Sequence, residues 1–371
     1  MVQKAFAYYR MPHAEEYHVV RQEEGNPLVL GNLRELNGRS GFVIAPFVVR
    51  PDCPIVVISG NHATHRVEPG RAALRRTLSA VEQADAKHDA KSGTLNSYKL
   101  AFGRFHDALL AGRFQKLVLA RSESCAYTPV SPDEQAAALE SLFLDACQRY
   151  PRMFVTLFSA PQTGTWLMAT PEVLVQGSTS PTPALLSTMA LAGTMKLEGE
   201  QLRFDNPDRS GVQDIRWSQK NIQEQRLVAT YIADVLKGFA DDITERGPYT
   251  TRAANLVHLR SDFTFVPKAG IGIGDMVSAL HPTPAVCGLP KAEAQAFILQ
   301  NEPSPRRYYS GFCGPLDVSG STHLFVSLRC MEIFDDSCRL YAGGGLLIDS
   351  VEEQEWQETE AKMQTMRQLM E

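Results

Sequence analysis

The chain reads as a mixed protein of α/β or α+β class, and three observations lead there. Short apolar runs of strand type alternate with segments in which apolar residues recur every three or four positions. The 371 residues are 44% hydrophobic and 21% charged, enough to bury a large core as one or two domains. There is no Gly-x-Gly-x-x-Gly or Walker-type loop and no internal repeat, so a nucleotide-binding or solenoid reading has no support.

In chain order, Gly41 to Val49 and Pro54 to Ile58 are apolar runs that predict strands. His62 and His65 have a spacing that could serve a metal, but with no third ligand nearby a plain surface role is expected. Glu82 to Thr94 carries no apolar residue larger than Ala and predicts an exposed connection. It separates a non-catalytic N-terminal part, residues 1–95, from a catalytic region, residues 96–371. Tyr98, Phe102, Phe105 and Leu109 recur at helical spacing, Gly112 ends that helix, and Lys116 to Arg121 follows as a strand. Ser131-Pro132-Asp133-Glu134 supplies the cap, first-turn proline and capping-box glutamate of a helix carrying Leu139, Leu142, Phe143 and Ala146. Further strands are predicted at Phe154–Phe158, Trp166–Ala169 and Leu324–Leu328, with long helices near 217–238 and 353–370.

Charge and cysteines exclude several classes. A net charge of -5 without long blocks of one sign gives no broad attraction for nucleic acid or anionic membrane, so the expected partner is a small molecule. Seven cysteines, an odd number without Cys-x-x-Cys spacing, argue against a disulfide framework or zinc site. Met1 to Arg10 has no apolar stretch of signal-peptide type, and no segment approaches the roughly 20 apolar residues that span a bilayer. A cytoplasmic protein is expected.

Several residues could carry chemistry. Glu224 precedes Leu227 and Val228 by one turn and shares their stripe with Tyr231, Ile232, Val235 and Leu236, so its carboxylate faces the core and needs a partner, either a cation in a salt bridge or a metal. Glu358 and Lys362 are four apart on one helix face, as a solvated pair or as part of a site. Two carboxylates, with waters and a substrate oxygen, are what magnesium favours. Lys116 shares a strand face with Val118 and Ala120; desolvation lowers a lysine's pKa and can leave a general base, whereas a strand-end lysine can also snorkel to solvent. Glu172 follows a proline-stiffened turn, as a cap or an edge carboxyl. Gly343-Gly344-Gly345 would let backbone N–H groups approach an anion, although tight turns use the same residues. His281-Pro282-Thr283-Pro284 through Pro290, and Glu302-Pro303-Ser304-Pro305-Arg306, fix irregular paths of the kind that hold ligands.

In their order, Lys-Leu-Val-Leu-Ala-Arg (116–121), Ala-Thr-Pro-Glu (169–172), Leu-Ala-Gly-Thr (191–194), the His281 stretch, and Ala342 to Gly345 through Glu355-Trp356-Gln357-Glu358 resemble the motifs of the chorismate-binding enzymes. The resemblance covers about the last 270 residues. It implies two lobes whose antiparallel sheets pack together, helices outside, an active site between the lobes, and the N-terminal segment as part of one lobe. Within that family, water-adding members carry Lys at the position of Lys116 and ammonia-using members carry Gln. A neutral lysine can deprotonate water and a glutamine cannot. The resemblance therefore implies an isochorismate synthase in which Lys116 activates water for attack at C2 of chorismate and Glu172 protonates the departing C4 hydroxyl. Glu224 and Glu358 would bind Mg2+, and Gly193, Thr194, His281, Arg306, Arg329, Gly344 and Lys362 would bind substrate or shape its pocket. No glutaminase subunit is implied, and a monomer is expected. The alternatives are a salicylate synthase, which would also eliminate pyruvate, and a non-catalytic relative. Three positions depart from the family pattern: Gln225 where His is frequent, Met195-Lys196 where Arg is frequent, and Gly344 where Ala is usual.

Overall fold

The alternating apolar runs form two antiparallel nine-stranded sheets. The structure, a computed structural model, describes residues 5–67, 90–127, 132–178, 184–196, 215–253 and 256–370. In spatial order the first sheet is β14 (Gly288–Leu289), β7 (Lys116–Ala126), β18 (Ser337–Leu346), β17 (Cys330–Ile333), β9 (Gly164–Thr170), β8 (Phe154–Ala160), β1 (Ala5–Arg10), β2 (Glu16–Gln22) and β6 (Asn61–Arg66). The second is β12 (Ala240–Ala253), β13 (Leu256–Pro267), β11 (Leu185–Lys196), β10 (Val173–Ser178), β16 (Ser321–Val326), β15 (Phe312–Leu316), β4 (Gly41–Ala45), β5 (Ile55–Ile58) and β3 (Leu28–Leu30). Six α-helices are described: α1 (Ala90–Leu110), α2 (Pro132–Arg149), α3 (Gln219–Phe239), α4 (Ile273–Leu280), α5 (Lys291–Asn301) and α6 (Glu352–Arg367).

Strand alternation explains the packing. In β8, Phe154 and Phe158 point into the layer between the sheets, while Val155 and Leu157 join a second core with α2 and α6. With both faces covered, the strand reads as a continuous apolar run. Across the sheets Phe154 stacks on Phe325 at 4.1 Å. On the far side Val43 and Ala45 of β4 pack under α3 and α4, while Phe42 and Ile44 face inward.

The N-terminal segment differs from expectation. It is not part of one lobe: β1, β2 and β6 lie in the first sheet, and β3, β4 and β5 in the second. The exposed connection falls outside the described residues as far as 89, and from Ala90 the chain is already helical. Ser131 of the expected capping box also lies outside them, although α2 forms over Pro132–Arg149. His62 and His65 are three apart on β6, so the pleat sends them to opposite faces; His65 stacks on Tyr17, and a shared metal is ruled out.

Candidate active site

A small cavity of about 60 Å³, partly open to solvent, lies between the sheets. Val118 of β7 and Tyr341 to Gly343 of β18 line one side; Leu191 to Thr194 of β11 and His258 of β13 line the other. Its charged lining comprises Glu172, Glu224, Arg329 and Lys362.

Lys116 opens β7, and the predicted alternation holds: Leu117 and Leu119 pack under α1 and α5, while Val118 faces the cavity. Lys116 is fully buried, with Nζ 2.9 Å from Glu224 Oε1. The contact is an ion pair outside aligned hydrogen-bond geometry, so its N–H groups remain without a bonded acceptor. α3 starts at the N-cap Ser218, whose side chain accepts from Asn221 N, and its buried stripe of Glu224, Val228, Ile232 and Leu236 delivers the carboxylate as the pattern predicts. Burial pushes the Glu224 carboxyl up, but Lys116 and then Lys220 more than offset this and hold it below the usual carboxylate range.

Glu172 sits at the turn between β9 and β10 and is 2% exposed. Burial pushes its carboxyl up to about 8 against the opposing pull of Lys116 and Lys362. It therefore holds a proton at neutral pH and can act as an acid.

On α6, Lys362 Nζ donates to Glu358 Oε1 at 2.7 Å and to the Gly343 carbonyl at 2.8 Å. The expected pair forms, and its Lys362 lines the cavity. Glu355, one turn earlier, opens the Glu355-Trp356-Gln357-Glu358 run. It pairs through Oε1 with Lys220 of α3, while its Oε2 is buried with no hydrogen-bond partner. Burial, and then Glu358, push Glu355 up to about 7. Glu224 stands at the Gly345 position of β18 and Glu358, with the unpaired Glu355 oxygen, at the neighbouring Gly344 position; carboxylate oxygens are donors of the kind a hard cation takes. Among the described residues no cluster of three or more His, Cys, Asp or Glu stands ready-made for a metal. Magnesium does not require one, since it keeps waters and few carboxylates.

Of the two readings the glycine run allowed, the tight turn does not hold. Gly343 to Gly345 are inside β18, in register with Ala120, Leu119 and Val118 of β7. They serve by making room. A β-carbon on Gly343 would stand 2.8 Å from Tyr309 Oη, and one on Gly345 would stand 2.0 Å from Glu224 Oε1. Gly344 faces Glu355 and Glu358 and does not line the cavity, so it is not placed to hold substrate. Gly193 has a different reason. It forms a β-bulge in β11 at φ 72°, a left-handed backbone that favours glycine.

The bulge turns the Gly193 carbonyl to His258, which sequence reading did not single out. His258 Nδ1 lies 3.1 Å from Gly193 O and 3.3 Å from Thr194 Oγ1, and Nε2 is 2.9 Å from Arg329 Nη2. Carbonyl and guanidinium fix the tautomer: Nδ1 carries the proton and Nε2 accepts from Arg329. Burial, then Arg329 and Lys362, hold this imidazole well below its ordinary pKa, so it stays neutral. Burial also lowers Arg329 to about 10. A histidine inside the buried run Leu256-Val257-His258-Leu259 was the available signal, because a buried polar group needs a partner. Gln225, where relatives often have His, bonds Ala190 O at 3.4 Å and Ser261 Oγ at 3.2 Å, tying α3 to β11 and β13.

Two expected substrate residues are used elsewhere. Arg306 donates to Glu302 at 2.8 and 2.5 Å, to Val286 O at 2.5 Å and to Val118 O at 2.8 Å, and lies 4.3 Å over the Phe47 ring. All three of its nitrogens are thereby engaged in bracing the cavity wall from behind. His281 bonds the Pro46 carbonyl at 3.0 Å, packs edge-on to Phe312, and is lowered to about 3 by burial and then Lys291. Neither lines the cavity.

Two antiparallel sheets around a buried acid, a carboxylate cluster and two cavity-facing cations define an α/β protein with a site for a small anionic molecule. A family model described as "Chorismate binding enzyme" matches residues 55–371, and the chain belongs to that family. Isochorismate synthase DhbC of Bacillus subtilis is 33% identical over 211 residues, 56% of this chain and 50% of that protein. Isochorismate synthase MenF of Escherichia coli is 33% identical over 268 residues, 70% of this chain and 56% of that protein. The chain thus spans about half the length of these curated relatives. A solved structure of the menaquinone-specific isochorismate synthase MenF from Escherichia coli shares the fold, with a TM-score of 0.73 at 21% identity over 100% of this chain and 89% of that one.

Proposed function

We propose that the protein is an isochorismate synthase. The observation that carries this reading is a buried, protonated Glu172 on the cavity wall, with the fully buried Lys116 close enough to pull on its pKa and paired to Glu224, which also lines the cavity. Adding water to a ring while expelling a hydroxyl needs an acid and a base at once, and Glu172 and Lys116 can fill these roles. In its neutral form, reached once the proton of the Lys116–Glu224 ion pair has left the site, Lys116 takes a proton from water as its oxygen bonds to C2 of chorismate. The ring's π electrons shift towards C4, the C4–O bond breaks, and Glu172 gives its proton to the departing hydroxyl, so water enters and water leaves. Arg329, held by neutral His258, and Lys362 present positive charge to the substrate's carboxylates.

Glu224 and Glu358 would hold magnesium, which when bound supplies counter-charge and Lewis acidity at the ring carboxylate. The unpaired buried oxygen of Glu355 and the oxygen-only donor set support this. All seven cysteines are free thiols and no described helix is long and apolar enough to cross a membrane, which supports a cytoplasmic reading.

Lys116→Gln tests the base. It retains a polar side chain beside Glu224 but cannot take the proton, so hydration should be lost while chorismate still binds in a calorimetric titration. Near-normal turnover in that variant would remove Lys116 from the mechanism.

A further inference from the structure

We propose that Lys220 is an internal counter-ion of the carboxylate cluster and sets how strongly the cluster holds a divalent cation. The inference rests on the reading of Glu224 and Glu358 as the metal carboxylates. Lys220 lies in the first turn of α3, four residues before Glu224, so the helix places both side chains on one face. Its ammonium pairs with Glu355 Oε1, and Glu355 is 1% exposed. Each carboxylate of the cluster thus has its own lysine: Glu224 with Lys116, Glu355 with Lys220, and Glu358 with Lys362. Lys116 and Lys362 already have roles in the proposed reaction. Lys220 has none, does not line the cavity, and is nonetheless half-buried, paired with Glu355 and within the field of Glu224 and Glu358.

The arrangement has a physical consequence. Burial alone would lower the Lys220 pKa, yet Glu355, Glu224 and Glu358 raise it, so the site holds this charge firmly. With its ammonium on Glu355, Lys220 lowers the net negative charge that the carboxylates present to an incoming cation. Glu355 keeps its Oε2 unpaired, facing the Gly344 position beside Glu358. Removing the Lys220 charge leaves Glu355 uncompensated, and a dication is the species that would restore balance. Lys220 is therefore a positioning residue that weakens metal binding and keeps the site from trapping the ion.

The test is calorimetric titration of MgCl2 into the full chain, without chorismate, at mildly alkaline pH, with melting curves to confirm folding. Lys220→Met should bind Mg2+ about tenfold more tightly than wild type, because a negative charge near a dication is worth roughly that even in a high dielectric. The double variant Lys220→Met/Glu355→Gln should return close to the wild-type affinity. Equal or weaker Mg2+ binding by folded Lys220→Met, with wild type binding measurably, would overturn the role of Lys220. Failure of both to bind Mg2+ would instead overturn the reading of Glu224 and Glu358 as metal carboxylates, and Lys220's role with it.

Discussion

Gly345→Ala adds one methyl group where the structure has no space for it. The new β-carbon would stand 2.0 Å from Glu224 Oε1, 2.8 Å from its Cδ and 3.0 Å from Lys116 Cε. Ordinary contact begins near 3.4 Å, so the carboxylate oxygen must retreat by about 1.4 Å. The strand has little freedom to yield instead, because Gly345 is in register with Val118 inside a nine-stranded sheet. Pushing Glu224 off its buried partner could approach the cost of breaking a buried ion pair, about 3–5 kcal/mol. Shifts of neighbouring groups bring the expected loss of stability to about 1–3 kcal/mol, the usual range for overpacking. A misplacement of about 1 Å at a reacting centre is worth on the order of 10²-fold in rate, so kcat/KM should fall by about that factor. Gly344→Ala is the control: its β-carbon would meet Glu355 Oε2 at 3.2 Å and Glu358 Oε1 at 3.7 Å, which small shifts accommodate. Denaturant midpoints and chorismate turnover, measured side by side, separate the two variants. Gly345→Ala behaving like Gly344→Ala would refute the claim that this glycine exists to admit the Lys116–Glu224 pair.

Three further variants examine the site. Glu172, pushed up to about 8 by burial, should supply its proton below that pH, so turnover should decline as pH rises through about 8, and Glu172→Gln should lose turnover. The same group affects stability: the folded carboxyl holds its proton above the unfolded value of 4.5, so its contribution is full below 4.5 and is lost as pH rises to about 8. Glu172→Gln should flatten that part of the decline in denaturant midpoints measured across pH. Arg306→Met leaves Glu302 buried without its cation and should lower stability by about 3–5 kcal/mol with little change in KM of the folded fraction; an unchanged midpoint with a raised KM would make Arg306 a substrate contact after all. Glu358→Ala should lower activity and the response to magnesium together, and an unchanged metal titration would place the metal elsewhere.

The features legible in the sequence were those governed by local periodicity. The 2.0 period of β7 put Lys116 on the face of Val118, and the 3.6 period of α3 turned Glu224 inward beside Val228 and Ile232. The Glu358–Lys362 spacing likewise gave a real pair. What escaped depends on partners distant in sequence. Lys220 meets Glu355 across 135 residues and Arg329 meets His258 across 71, and no periodicity encodes either. Arg306 shows the converse error: a conspicuous arginine in a proline-rich loop looked like an anion site, but Glu302, four residues earlier, and two backbone carbonyls had already engaged its donors. The glycine run, read as an anion cradle or a tight turn, lies inside a strand, because composition cannot distinguish a strand that needs space beside it from a chain that needs to bend.

The most direct measurement is product analysis of the purified protein incubated with chorismate and magnesium, with and without ammonium, by chromatography and mass. Isochorismate, formed equally well with ammonium present, is the predicted result. Salicylate with pyruvate would add an elimination step to the same site. An aminated product would contradict Lys116 as a water-activating base, and folded protein that turns over no chorismate under either condition would contradict the proposed activity itself.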